Sequence, residues 1–119
     1  LKKGGKMRAQ GLVTVMKDDK VVMKIVTGTG GYYARKLAYT IKCSGRIPSL
    51  EEAYDLAVKC LWSNTETLVV MDEKKILFKG KGNLGRLYRK TFALPKFNPR
   101  WECGLIDHFR IVKFKSKAT

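Results

Sequence analysis

Apolar and polar residues alternate through "GLVTVMKDDKVVMKIV", residues 11–26, so that Leu12, Thr14 and Met16 fall on one side of an extended chain and Val13 and Val15 on the other. The β-branched character resumes at Val21 and runs to Val26, which predicts a β-hairpin around Asp18, Asp19 and Lys20. No Asn-Gly or Asp-Gly pair is present to make a two-residue primed turn, so a slightly longer loop is expected there.

The period then changes. Tyr33, Leu37 and Ile41 recur at i, i+4 and i+8 with Ala34 and Ala38 beside them, the buried stripe of a helix whose outer face carries Arg35, Lys36 and Lys42. Gly45 stops it as a left-handed C-terminal cap. The following "PSLEEAYDLAVKCLW" opens on a capping box, in which Ser49 accepts from the N3 amide and Glu52 reaches back to the Ser49 amide. Its predicted stripe is Leu50, Tyr54, Ala57, Val58 and Leu61, closed by Trp62.

Two further apolar runs, at 67–71 and 76–78, flank Asp72, Glu73, Lys74 and Lys75 and predict a second hairpin. Beyond it, Gly80, Gly82, Gly85, Pro95 and Pro99 bracket a short strand at 88–93. "GLIDHFRIVKFK" predicts a C-terminal strand, bulged where its alternation slips between His108 and Ile111. The fold class is therefore α+β: a small single domain with an antiparallel β-sheet of two hairpins plus a C-terminal strand, covered on one face by two helices. A chain of 119 residues suits one domain, placed at residues 7–119, with residues 1–6 ahead of Met7 expected to be a disordered tail with no fold role.

Charge changes the picture more than any element does. Lys and Arg number 25 against 10 Asp and Glu, a net charge of +15 that exceeds what solubility calls for and points to a polyanionic partner. No apolar run approaches the ~18 residues of a membrane-spanning helix. The basic residues are spread over hairpins and loops rather than along a basic amphipathic helix of the kind that lies in a bilayer interface, so no membrane partner is expected. The 3 cysteines, Cys43, Cys60 and Cys103, make an odd, widely spaced set that fits a reducing, cytoplasmic setting rather than a disulfide framework. They could form a Cys3His zinc site only together with His108, and no C-x2-C pair supports it. Buried cysteines are the simpler reading, and neither metal nor cofactor is expected.

The richest candidate surface lies in residues 74–100, which contain no acid. Its cations Lys79, Lys81, Arg86, Arg89, Lys90, Lys96 and Arg100, with the aromatics Tyr88, Phe97 and Trp101, are what a nucleic-acid strand requires: charge for phosphates and rings for bases. The expected function is non-enzymatic binding of nucleic acid, RNA or single-stranded DNA in preference to duplex. Each aromatic, taken singly, is as readily a core anchor of a strand.

Two other uses of the charge are open. In the first, Gly28, Thr29, Gly30 and Gly31 lead into a helix, and their amides with Arg35 and Lys36 would hold the phosphate of a small nucleotide. The stretch lacks G-x-G-x-x-G and follows a hairpin rather than a βαβ unit, so a dinucleotide fold is not expected and a plain chain reversal explains the glycines equally. In the second, His108 serves as the acid or base of a small, basic, metal-independent ribonuclease. Nothing in its sequence neighbourhood completes a catalytic set, since Asp107 would point to the opposite strand face.

Overall fold

The computed structural model describes residues 10–27, 31–61, 67–80, 91–96, 100–101 and 104–116. Strands β1 (Gln10–Lys17) and β2 (Lys20–Thr27) form the first hairpin, followed by helices α1 (Gly31–Ser44) and α2 (Leu50–Cys60). Strands β3 (Leu68–Met71) and β4 (Ile76–Lys79) form the second, and the two-residue β5 (Arg100–Trp101) precedes the long β6 (Gly104–Phe114). The strand order is β4-β3-β2-β1-β6-β5.

The architecture is the α+β domain that the hydrophobic periods predict, with one departure in the sheet. β1 pairs antiparallel with β2, β2 with β3 and β3 with β4, whereas β6 runs parallel to β1, from Gln10 opposite Ile106 to Lys17 opposite Phe114. The sheet is consequently mixed. The slip in the alternation of β6 corresponds to an irregularity in this pairing, where Gln10 faces Ile106 and Gly11 faces His108, leaving Asp107 as the extra residue.

Period-2 alternation sends side chains into two cores. Val13, Val15, Met23, Ile25, Leu68, Val70 and Val112 pack toward the helices, against Tyr33, Ala34, Leu37, Ala38 and Ile41 of α1 and Leu50, Ala53 and Ala57 of α2. Leu12, Met16, Val21, Val26, Val69 and Met71 point to the other side, where they meet Phe92 and the half-buried Ile76, Phe78, Phe109 and Ile111. Cover on one face was expected; both are buried. This explains why all of Leu68, Val69, Val70 and Met71 are apolar and buried, as strands sandwiched on two sides tend to be.

Local chemistry sets the element ends. Asp18 takes a positive φ of 55°, closing the first hairpin in two residues between the paired Lys17 and Lys20, tighter than the loop that the absence of glycine suggested. A β-bulge between Val15 and Met16 takes up the extra residue in β2. Gly45, at φ 77°, ends α1 with its amide donating to the Lys42 carbonyl. At α2 the predicted capping box is complete: the Glu52 amide donates to Ser49 Oγ at 3.1 Å and the Ser49 amide to Glu52 Oε1 at 2.9 Å.

The buried stripe of α2 is rotated from the one its larger residues suggest. Leu50, Ala53, Ala57 and Cys60 are buried while Tyr54, Val58 and Leu61 are half-buried, because alanines let the helix approach the sheet closely and leave the bulkier side chains to fill its flanks. Residues 91–93 form a turn rather than the end of a strand. The remainder of that predicted strand, Trp62, Gly82, Gly85, Pro99, Cys103, and the tail with Met7 lie outside the described residues.

Candidate nucleic-acid interface

The fold gathers most of the described acids at one end of the strands, among the cations Lys17, Lys20, Arg46, Lys74, Lys75 and Lys115. The two hairpin turns, the start of α2 and the end of β6 all come to one end of the sheet, because β1, β3 and β6 run toward it and β2 and β4 away. Asp18, Asp19, Glu51, Glu52, Asp72 and Glu73 lie at this hairpin end, with Asp55 one turn further along α2. Among the described acids only Asp107, at the irregularity in β6, is placed toward the opposite end.

Local structure explains the crowding, since turns and helix starts are where carboxylates satisfy backbone amides. Asp72 Oδ1 accepts from the amides of Lys74 and Lys75 at 2.8 and 2.7 Å. Asp18 accepts from the Ser116 amide at 3.0 Å and hydroxyl at 2.7 Å, which lowers its pKa. Glu52 grips Arg46 through two hydrogen bonds of 3.1 and 2.6 Å, and this pairing, with the capping amide, holds its pKa down to about 2. Glu51 pairs with Lys75 and Glu73 with Lys20. The carboxylates thus pair with cations at their own end and hold turns closed.

Helix α1 runs along the sheet to that end and carries further cations. It contains no acidic residue, and Arg35, Lys36 and Lys42 are exposed on the face opposite its buried stripe. Gly31 is its first residue, and Arg35 and Lys36 follow in its second turn rather than the first; Gly28, Thr29 and Gly30 lie outside the described residues. On this same face Tyr39 is 68% exposed, the most exposed of the large apolar side chains described. Tyr39 is missing from the surface predicted by sequence, although its phase against Tyr33, Leu37 and Ile41 already placed it outward.

The predicted cation and aromatic set is only partly described. Lys79 ends β4 half-buried; it alternates with Phe78 and so belongs to the helix-side face of the sheet. Lys96 is exposed beside Pro95 on the opposite face, where Pro95 O meets the Thr14 hydroxyl. The structure therefore does not bring these two lysines together. Arg100 and Trp101 form β5, next to β6. Lys81, Arg86, Tyr88, Arg89, Lys90 and Phe97 lie outside the described residues.

Among the described residues the groups named for catalysis or metal binding lie on separate elements. His108 is half-buried on β6 opposite Gly11, Cys43 is exposed at the end of α1, and Cys60 is buried on α2 with its thiol pKa raised by burial. Among the described residues no three His, Cys, Asp or Glu side chains come close enough to hold a metal ion. None of the described helices is long and apolar enough to cross a membrane.

One perturbed group escaped the sequence reading. Lys24, in the middle of β2, is fully buried with its ammonium donating to the Thr91 carbonyl at 2.7 Å and lying 5.8 Å from the centre of the Phe92 ring. Burial pulls its pKa down to about 8. A lysine inside "VVMKIV", in phase with Val26, was the available signal. It holds residues 91–96 across the second face and is a structural clasp in this geometry.

Comparison with protein-family models, with curated proteins and with solved structures gave no match, so the functional reading rests on the chain's own chemistry.

Proposed function

We propose that the protein is a non-enzymatic nucleic-acid-binding domain that takes RNA or single-stranded DNA in preference to duplex. The observation that carries this reading is the excess of cations, which the chain's acids, largely spent on turns, caps and ion pairs, offset only in part. In a chain with net charge +15, the described acids other than Asp107 gather at one end of the sheet, where they cap turns and pair with Lys20, Arg46 and Lys75. The 25 Lys and Arg far outnumber the 10 acids, and a surface with that excess gains by displacing counterions from a phosphate backbone.

The experiment is fluorescence anisotropy of a labelled single-stranded oligonucleotide titrated with the protein across a salt series. A protein neutralising a handful of phosphates has log K falling with log salt at about −0.7 per phosphate on a single strand. Binding with a slope between about −2 and −4 is the expected result. Absence of binding at low salt, or an affinity indifferent to salt, overturns the reading.

A further inference from the structure

We infer that the outer face of α1 is the surface on which a single strand of nucleic acid lies, with Tyr39 stacking on a base between phosphates held by Lys36 and Lys42. The inference rests on the nucleic-acid reading above and gives it a site.

Helical geometry arranges the face. At 100° per residue, Tyr33, Ala34, Leu37, Ala38 and Ile41 occupy one side of α1, and all are buried against the sheet and α2. The opposite arc carries Lys42 and Arg35 on one flank, Tyr39 at its centre and Lys36 on the other flank, each exposed. Arg35, Tyr39 and Lys42, at i, i+4 and i+7, follow one line along the helix surface and span about 10 Å.

An exposed tyrosine by itself is ordinary. Here its surroundings are selective: a ring that is 68% exposed stands in the middle of cations on a helix without a single acid. Cys43, one turn along the same exposed arc, raises the pKa of the Tyr39 hydroxyl, which keeps the ring neutral among its cations. Cations alone would suit any polyanion. A ring among them adds affinity only for a partner with an accessible π-face, and bases offer theirs when unpaired, whereas duplex stacking hides them. Charge complementarity and the central ring together select a single strand over a duplex or an acidic polypeptide.

The test compares the wild-type chain with Tyr39→Ala, Tyr39→Phe and the pair Lys36→Ala with Lys42→Ala, each titrated against a single-stranded oligonucleotide, its duplex and polyglutamate. All three positions are exposed, and unchanged far-UV circular dichroism and thermal midpoints will show that the variants are folded. Tyr39→Ala is expected to weaken single-strand binding at least about fivefold without changing the salt slope, and Tyr39→Phe to retain the wild-type affinity. The double lysine variant should reduce the slope by about 1.4. If wild type binds the single strand and all the variants bind it equally, α1 is not the site, although the nucleic-acid reading stands. Duplex or polyglutamate bound as tightly as the single strand also overturns the inference. If wild type binds no oligonucleotide at all, both the site and the reading fall.

Discussion

Thr14 and Lys24 are directly opposed across β1 and β2, and each donates to a carbonyl of the same crossing segment: Thr14 Oγ1 to Pro95 at 2.8 Å and Lys24 Nζ to Thr91 at 2.7 Å. Phe92 enters the core between these anchor points. Two polar side chains, both fully buried in an otherwise apolar face, are thereby given partners, and the segment they hold seals that face.

The Lys24 clasp makes stability depend on alkaline pH. Its folded pKa of about 8 lies below the ordinary lysine value of 10.5, so between these limits the unfolded chain binds a proton that the folded chain does not. Stability contributed by this group therefore rises as pH increases from about 8 to 10.5 and levels off beyond. Measured against Lys24→Met by urea denaturation at each pH, wild type should gain as much as about 3 kcal/mol over this interval. Parallel curves for the two proteins would show that the ammonium is not buried as described.

Removing the two other holds on the segment should have unequal effects. Thr14→Val keeps the shape and loses one hydrogen bond, at a cost of about 1 kcal/mol. Phe92→Ala empties an aromatic site in the second core and should cost about 3–5 kcal/mol. Chemical denaturation orders the pair, and hydrogen exchange at residues 91–96 should quicken in both.

Gly45 and Gly80 both have positive φ, 77° and 111°, but differ in the space around them. A Cβ on Gly45 meets nothing within 4 Å, whereas one on Gly80 would stand 2.6 Å from Thr67 Cγ2 and 3.1 Å from Thr67 Cα. Gly45→Ala should therefore cost only the left-handed strain, about 1 kcal/mol. Gly80→Ala adds a clash partly with backbone and should unfold at the lower temperature of the two.

Acid should act first on α2. The Glu52 carboxyl, at about 2 against an ordinary 4.5, contributes stability that is complete above pH 4.5 and is lost as pH falls toward 2. Glu52→Gln should flatten the acid limb of the stability curve in that window. Ser49→Ala should cost about 1 kcal/mol at neutral pH through the lost cap.

What the chain's pattern revealed was local. The hairpins, both helices, the α2 capping box and the α1 stripe follow from residues within a few positions of one another, where period and cap chemistry act. The parallel pairing of β6 with β1 joins distant segments, and the alternation of β6 identifies a strand without specifying its neighbour or direction. On α2 size is a poor guide to burial, since the small Ala53, with Ala57, makes the close contact while Tyr54 and Val58 stay half-buried. The strand around Lys24 satisfies the apolar pattern without it, so only its phase with Val26 signals its burial. Most of the predicted nucleic-acid set between residues 81 and 97 falls outside the described residues, while the outward phase of Tyr39 was readable from the α1 stripe.

The crowding of carboxylates at the hairpin turns bears on how the molecule meets a partner before any contact forms. A body whose described acids, Asp107 apart, gather at one end and offset the cations beside them experiences a torque in the field of a phosphate chain, which favours approach by the less neutralised part of its surface. Collisions are then pre-aligned, and the gain appears in the association rate, largest in dilute buffer and fading as added ions shorten the reach of the field to about 10 Å at 0.1 M.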